Sequence, residues 1–275
     1  GPSRYLFGAA LLAVVAVLVA LAFGWRPRWL RLRLLAVVAG ALVLASCVPV
    51  APPPPPAPSS GPPAANGPYP PAPLMYSRQA WGARPFQCAG GPEYADQLVF
   101  AVVHHTVNSN NYGPHDGPAM VRAIQSYHMD VNGYCDIAYN FLIDRWGVIY
   151  IGRQGGIDKP VIGGHAGGFN TGSTGVALIG DFQVAQPTGE QWNSLVNLLR
   201  WRLSVAHIDA QVPTMYTVKS SPCGCQRWPA GTQIYLDNRI WGHGDLNATA
   251  CPGGAFWTRR AELRHAVQLG LSFPH

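Results

Sequence analysis

The sequence has few charged residues, and outside its N-terminus neither sign is in excess. Only 12% of its 275 residues are charged, and the formal net charge of +6 is unevenly distributed. Five arginines lie before residue 34, whereas residues 74–275 carry 14 Lys plus Arg against 13 Asp plus Glu, a net charge of +1. Nucleic-acid-binding domains present a clustered basic surface. The composition therefore argues against a nucleic-acid partner.

No charged residue interrupts the 21 residues from Tyr5 to Trp25. A helix of this length, rising about 1.5 Å per residue, crosses a hydrocarbon core of about 30 Å. Four arginines follow within residues 26–33, and residues 34–50 are again uncharged. The positive-inside rule keeps the arginines in the cytoplasm and places the chain after residue 50 outside. We therefore expect residues 1–48 to anchor the protein to the cytoplasmic membrane, with the rest in the cell envelope.

The second uncharged run has two interpretations. In one, both runs span the membrane. In the other, residues 28–46 form a secretory signal with a basic start, a short apolar core and a small-residue cleavage site. The sequence LASC, which ends at Cys47, resembles the lipobox of bacterial lipoproteins, in which the cysteine is lipidated. Otherwise Cys47 is a small apolar residue in a membrane helix.

Residues 49–73 contain 13 of the 26 prolines. Such a composition cannot bury a core and favours an extended polyproline II conformation. At about 3.1 Å per residue the segment reaches at most roughly 80 Å. We interpret it as a linker that holds the following domain away from the membrane.

Residues 74–275 are enough for one domain with a sizeable core. Buried-strand patterns occur in LVFAVVHHT and TGVALIGDF, and AYNFLIDRWGVIYIG predicts a hairpin. Helices are predicted over residues 116–133, from Pro187 to about His207, and from about Gly254 to Leu269. Residues 210–240 are irregular and predict a small surface hairpin. This order of elements predicts a single α/β domain with a central mixed β-sheet flanked by helices.

The helix predicted over residues 116–133 has an apolar face defined by spacing. Asp116 is a candidate N-cap, and Gly133 is the expected stop. Four apolar residues recur every three or four positions and predict the buried face: Met120, Ile124, Tyr127 and Val131.

The cysteines after the linker divide into two groups. Four of them permit two disulfides in any of three pairings: Cys88, Cys135, Cys223 and Cys225. A bridge between Cys223 and Cys225 would be strained, although it is feasible. Cys251 is the fifth, and an unpaired thiol in an oxidising compartment needs a reason to persist, of which metal ligation is one.

One stretch, GHGDLNATACPGG over residues 242–254, places a histidine and a cysteine in a segment that reads as a loop. A second histidine, His104, lies near the end of a predicted buried strand. A catalytic zinc takes three protein ligands and leaves the fourth position for water. Two imidazoles and one thiolate leave the ion positively charged, so that it lowers the pKa of water and polarises a carbonyl. We therefore expect one Zn²⁺ ion on His104, His243 and Cys251.

Six motifs occur in order over most of the domain: WGARP, VVHHT, YCDIAYNFLID, GVIYIGR, GGHAGGFNTGSTGVALIGDF and GHGDLNATACPG. Together they resemble those of the peptidoglycan recognition protein and type 2 N-acetylmuramoyl-L-alanine amidase family, which includes bacteriophage amidase lysozymes. The sequence PAGT further resembles the actinobacterial branch. The resemblance covers about Ser77 to Trp257.

The resemblance implies roles for individual residues. His104, His243 and Cys251 match the family's zinc ligands. Tyr139 matches a tyrosine that assists the attacking water and the developing oxyanion, although a core aromatic is the alternative. Thr249 matches a residue near the scissile carbonyl, or else it is a loop-capping hydroxyl.

Further positions match the substrate groove or a supporting position. His165 and Asn170 match the groove segment. His105 is expected to be structural or to support a metal ligand, and Asp245 to orient a ligand or cap a turn. The resemblance implies hydrolysis of the amide between the lactyl group of N-acetylmuramic acid and L-alanine, with peptidoglycan as partner. We expect a monomer.

The sequence departs from the family pattern at two places. Relatives usually have arginine where Gly244 stands, so support of that loop is missing or comes from elsewhere. Gln154 and Gly155 replace the Gly-Trp pair that follows the same arginine in many recognition proteins, which leaves the stem-peptide preference open.

Two other function classes compete with a zinc amidase. Binding-only members of the family lack the zinc cysteine, whereas Cys251 is present here. A cysteine hydrolase would use Cys251 as its nucleophile. Pro252 directly after the cysteine disfavours the helix N-terminal geometry that often activates such a thiol.

Overall fold

The computed structural model describes residues 69–271 and confirms a mixed α/β domain. Its strands, in chain order, are β1 (Met75–Tyr76), β2 (Phe100–His105), β3 (Phe141–Ile143), β4 (Ile149–Ile151), β5 (Ser173–Leu178), β6 (Thr214–Thr217), β7 (Gln233–Leu236) and β8 (Ile240–Gly242). Its helices are α1 (Arg78–Trp81), α2 (Gly117–Ser126) with a π-helical continuation (Tyr127–Val131), α3 (Gly189–Val205), α4 (His243–Leu246), α5 (Gly254–Trp257) and α6 (Arg260–Gln268).

Within the described range, six strands form the central sheet in the order β1-β4-β3-β5-β2-β8. The neighbours β3 and β4 are antiparallel, as the hairpin pattern predicts, and the other neighbouring pairs are parallel. Strands β6 and β7 form a separate antiparallel ribbon, which is the predicted surface hairpin. The prediction of a central mixed β-sheet is therefore confirmed.

Helix α3 covers one face of the sheet. Thr188 caps it, because its hydroxyl accepts a hydrogen bond from the Gln191 amide and the Gln191 side chain returns to the Thr188 amide. Leu195 packs with Ala101 and Val103 of β2 in one core cluster. Phe100 and Val102, which alternate with these residues along the strand, pack with the β6–β7 ribbon instead. His104 follows the same alternation and so lies on the face away from α3.

The predicted apolar face of α2 and its continuation is wrong at two positions. Tyr127 and Val131 are 57% and 68% exposed. The buried side carries Val121 and Ile124 together with two polar residues, Gln125 and His128. Both oxygen and nitrogen of the Gln125 carboxamide form hydrogen bonds, and Nδ1 of His128 accepts one from the Ala138 amide, which offsets the cost of their burial.

Helix boundaries also differ from the prediction. Asp116 precedes α2 but its carboxylate accepts a hydrogen bond from the Gly113 amide and caps no helical amide. The helix predicted from Gly254 to Leu269 is two helices, α5 and α6, separated by Thr258 and Arg259. The segment 242–254, read as a loop, contains the short helix α4.

The structure pairs the cysteines as Cys88–Cys135 and Cys223–Cys225. Cys251 is buried and, among the described cysteines, is unpaired. Within residues 69–271, no helix has both the length and the apolar character needed to cross a membrane. The predicted anchor over residues 1–48, Cys47 and most of the proline-rich linker lie outside the described residues.

Candidate metal centre and active site

The sheet brings the two candidate ligand histidines to one edge. Strand β8 pairs in parallel with β2, and Val103 lies opposite Gly242. His104 follows Val103, and His243 follows Gly242, so that both side chains leave the same end of neighbouring parallel strands. Cys251 returns to this edge through a loop that is closed by a 2.6 Å hydrogen bond from the Gly244 amide to the Cys251 carbonyl.

The side chains of His104, His243 and Cys251 form a compact group. One ligand atom from each lies within 4.8 Å of the others. The Cys251 sulfur is 3.6 Å from Nδ1 of His104. A tetrahedral zinc with ordinary bond lengths separates its ligand atoms by about 3.5 Å. The spacing and the His₂Cys donor set therefore fit a zinc ion.

The backbone around the sulfur holds it in place. The His105 amide donates a hydrogen bond to the Cys251 sulfur at 3.3 Å. The Cys251 amide in turn donates to the Thr249 hydroxyl at 3.2 Å, so Thr249 has the loop-capping contact that was its alternative interpretation. Nδ1 of His105 accepts from the Phe182 amide at 3.2 Å. His105 therefore supports the site through its backbone and its packing.

His165 contacts a candidate metal ligand directly. Its Nδ1 lies 3.0 Å from Nε2 of His104. The ring occupies a narrow slot, since a Cβ atom added at either Gly163 or Gly175 would overlap it. His165 is 5% exposed, and the Asn170 carboxamide oxygen accepts hydrogen bonds from the amides of His165 and Ala166. Both residues thus build the wall beside His104, and their contact with substrate stays a prediction.

Tyr139 packs beside His104. Its ring centroid is 5.1 Å from that of His104 and 5.4 Å from that of His128. The residue precedes β3 and is partly exposed. No described residue forms a hydrogen bond with its hydroxyl. Burial, reinforced by the nearby Cys251, raises the pKa of Tyr139, so the hydroxyl keeps its proton and is a donor.

The environment sets the protonation of the three candidate ligands. Burial, with a smaller effect of His243, lowers the pKa of His104 well below its ordinary value. Burial also lowers the pKa of His243 to about 4. Both imidazoles are therefore neutral near pH 7 with lone pairs available. Burial raises the pKa of the Cys251 thiol to about 12, so a bound cation is needed to form the thiolate.

Asp245 caps the turn that carries His243. Its Oδ2 accepts hydrogen bonds from the Gly242 amide at 2.9 Å and from the Trp257 indole at 2.8 Å. The carboxylate therefore fixes α4 against α5. This is the turn-capping interpretation of Asp245.

Sequence reasoning did not predict the contact of His165 with His104, and it missed Arg227. His165 was assigned to a substrate groove, although Gly175 within a buried strand is a signal of close approach by another group. Arg227 was not singled out, and its guanidinium donates two hydrogen bonds to the Gly244 carbonyl, at 3.0 and 2.8 Å. No local pattern in the sequence identifies that contact.

Sequence comparison places these features in a known context. Residues 95–254 match the sequence profile of the N-acetylmuramoyl-L-alanine amidase family. Peptidoglycan-recognition protein SC2 of Drosophila melanogaster is 30% identical over 185 residues, which cover 66% of this chain and 82% of that protein. Peptidoglycan recognition protein 1 of Rattus norvegicus is 29% identical over 171 residues, which cover 62% and 88%.

Solved structures share the fold. Wild-type Drosophila PGRP-LB matches with a TM-score of 0.53 and 27% identity, covering 69% of this chain and 93% of that one. Peptidoglycan recognition protein LE in complex with tracheal cytotoxin matches with a TM-score of 0.53 and 27% identity, covering 68% and 92%. The amidase LysCS from Clostridium intestinale matches with a TM-score of 0.50 over 74% and 99%, and at 23% identity it shows the shared fold alone.

Proposed function

The chain belongs to the N-acetylmuramoyl-L-alanine amidase family that includes the peptidoglycan recognition proteins, and we propose that it hydrolyses the amide between N-acetylmuramic acid and L-alanine in peptidoglycan. The observation that carries this proposal is the convergence of His104, His243 and the unpaired Cys251 within 4.8 Å. A module that only binds peptidoglycan has no need of a buried thiol between two neutral imidazoles.

A single Zn²⁺ ion held by these three side chains would supply a Lewis acid that polarises the amide carbonyl and lowers the pKa of water. The protein itself holds the three ligand groups, two neutral imidazoles and one thiol, in a fixed arrangement. The Tyr139 hydroxyl, which keeps its proton, donates a hydrogen bond to the oxyanion that develops on the scissile carbonyl. Thr249 is exposed beside Cys251 and is proposed to contact the same substrate region.

The proposed substrate class rests on the named relatives. Those in fly and rat are called peptidoglycan recognition proteins, and the matching LE structure holds tracheal cytotoxin, a monomeric diaminopimelic acid-type peptidoglycan. We propose that the protein is a monomer and that its partner is peptidoglycan. His165 and Asn170 are proposed to lie beside the substrate groove. The proposed location is the cell envelope, with residues 1–48 as the membrane anchor.

Lipidation and membrane spanning give different results at Cys47. If Cys47 is lipidated, Cys47→Ser abolishes incorporation of a clickable fatty acid. If the run is a membrane helix, the same variant leaves the protein in the membrane fraction and the wild type takes up no label.

A nucleophilic Cys251 is disfavoured by its surroundings. Reactive cysteines have a lowered pKa in an electropositive, accessible setting. Cys251 is 9% exposed, and burial raises its pKa to about 12. The thiol is therefore suited to hold a cation and poorly suited to attack substrate unaided.

Digestion of purified peptidoglycan tests the proposal. We expect the wild type to release intact stem peptides and peptide-free muramyl glycans, identified by mass. A chelator should stop release and added Zn²⁺ should restore it, and Cys251→Ser should be inactive. A chelator-insensitive activity would indicate a thiol hydrolase. Binding to peptidoglycan without release under any condition would instead support the alternative, a non-catalytic binding module.

A further inference from the structure

We propose that Arg227 is a positioning residue for the metal loop, defined as residues 243–251, and that the surface excursion over residues 210–240 acts on the metal centre through it. The inference rests on the proposed function, because the metal loop carries His243 and Cys251. Arg227 itself touches neither substrate nor the ligand atoms.

The contact between Arg227 and the loop is specific. Nε and Nη2 of Arg227 donate hydrogen bonds to the Gly244 carbonyl at 3.0 and 2.8 Å. Gly244 directly follows the ligand His243, and its amide donates to the carbonyl of the ligand Cys251 at 2.6 Å. One residue therefore joins both ligands of the loop, and Arg227 fixes that residue from the other side.

The loop cannot provide this support from its own position 244. A Cβ atom at Gly244 would lie 2.7 Å from the Thr249 carbonyl oxygen and 2.8 Å from that of Cys251. Real Cβ atoms do not approach backbone oxygens so closely, so a side chain at this position would force the loop to move. A donor for the Gly244 carbonyl has to come from another segment, and the excursion supplies it.

The backbone of the excursion holds Arg227 in register with the metal loop. The Arg227 amide donates to the Leu246 carbonyl at 3.1 Å, and the Ala248 amide donates to the Cys225 carbonyl at 3.0 Å. Gln226 and Asn247 lie opposite each other in an antiparallel bridge. These bonds form a short two-stranded contact along the loop between the two ligands.

The Cys223–Cys225 disulfide closes the turn from which this contact starts. The Asn247 amide group donates to the Cys225 sulfur at 3.4 Å and to the Gly167 carbonyl at 3.0 Å. The excursion, the metal loop and the segment that carries His165 therefore meet at Asn247. Of these contacts, the Arg227 side chain is the one that reaches the residue next to a ligand.

Truncation of Arg227 should leave the core intact. The residue is exposed, and both hydrogen bonds from its guanidinium end on the Gly244 carbonyl. Arg239 provides a matched control in the same excursion. It also donates to backbone carbonyls, those of Val212, Val99 and Pro213, and none of these lies in the metal loop.

The test measures metal binding by the full chain, independently of activity. The variants are Arg227→Ala, Arg227→Lys as the conservative rescue, and Arg239→Ala. Apo protein is titrated with Zn²⁺ against a chromogenic chelator, and with Co²⁺ while the thiolate-to-cobalt and d–d absorption bands are recorded. Circular dichroism of each variant checks the fold. We expect Arg227→Ala to weaken Zn²⁺ binding about 10-fold and to change the cobalt spectrum.

Arg227→Lys should recover part of the affinity through one hydrogen bond, and Arg239→Ala should match the wild type. Wild-type affinity and spectrum in Arg227→Ala overturn the inference and leave the proposed function standing. Equal losses in Arg227→Ala and Arg239→Ala also overturn it, because they indicate general loosening of the excursion. A wild type that binds neither ion overturns the proposed zinc function together with this inference.

Discussion

Nε2 of His104 lies 3.0 Å from Nδ1 of His165, while the other ring nitrogen of His104 faces the Cys251 sulfur at 3.6 Å. A histidine that binds a metal through one nitrogen commonly donates the other N–H to a fixed acceptor, which sets its tautomer and orientation. With a metal on Nδ1 of His104, its Nε2 would carry the proton and Nδ1 of His165 would accept the hydrogen bond. We predict that His165→Ala lowers Zn²⁺ affinity about 10- to 100-fold, measured by chelator competition.

Two further variants separate loss of the hydrogen bond from a general effect. Gly175→Ala should also weaken Zn²⁺ binding, because the new Cβ overlaps the His165 ring and displaces it. His115 is exposed, and His115→Ala should bind Zn²⁺ like the wild type. Unchanged affinity in His165→Ala would show that the contact between the two rings does not support the metal.

Removal of the Tyr139 hydroxyl should affect turnover and spare the metal. Tyr139→Phe keeps the ring that packs 5.1 Å from His104. It loses the donor that we assign to the developing oxyanion. Loss of one such donor typically lowers kcat about 10²- to 10³-fold. The measurements are kcat on purified peptidoglycan and Zn²⁺ content.

Tyr127→Phe is the matched control, since Tyr127 is 57% exposed and should tolerate the change. If Tyr139→Phe kept full turnover, the residue would be an ordinary packing aromatic, which is the alternative that its sequence context allowed.

The sequence identified those metal-site residues that stand out from their own neighbourhood or from the cysteine count. His104 comes near the end of an unbroken apolar run, and such a run predicts a buried strand. Cys251 was the odd cysteine among five, so its separation from the disulfides followed from counting. Their meeting with His243 depends on the parallel pairing of β2 with β8. The family resemblance implied only that the three residues bind one zinc ion, and no local pattern in the sequence determines the strand pairing.

The error in the buried face of α2 has a physical cause. Apolar spacing treats every polar residue as exposed, so the helix over residues 116–133 was rotated to bury Tyr127. The structure instead buries Gln125 and His128, whose partners lie 11 and 10 residues further along the chain. Gln125 donates to Asp136, and Nδ1 of His128 accepts from the Ala138 amide. The contact between Arg227 and Gly244 was missed for a different reason, since it joins an irregular segment to a backbone carbonyl and leaves no pattern in the sequence.

His128 should make the stability of the domain depend on pH. Burial, and to a lesser degree Arg153, lowers its pKa to about 4 from 6.5. Between these values the unfolded chain binds a proton that the folded chain excludes. The free energy of unfolding therefore falls as pH decreases from about 6.5 towards 4, by about 3 kcal/mol in total.

His128→Asn isolates this effect, because the Asn oxygen can still accept from the Ala138 amide while the side chain does not titrate. Urea unfolding of both apo proteins between pH 4 and 7 gives the comparison. We expect the variant to have a flatter dependence on pH, by up to about one proton. Parallel curves would mean that His128 has the same pKa in the folded and unfolded chains.

The two disulfides should contribute very different amounts to stability. Cys88–Cys135 joins residues 47 apart, whereas Cys223–Cys225 joins residues 2 apart. The loop-closure entropy removed from the unfolded chain grows with loop length, which gives about 4 kcal/mol for the first bridge and at most about 2 kcal/mol for the second. We predict that Cys88→Ser with Cys135→Ser lowers the free energy of urea unfolding by at least about twice as much as Cys223→Ser with Cys225→Ser. The shorter bridge should instead affect the position of the metal loop, because the Asn247 amide group donates to the Cys225 sulfur. Its removal is expected to weaken Zn²⁺ binding while the unfolding midpoint changes little, and equal losses of stability in the two double variants would contradict this division of roles.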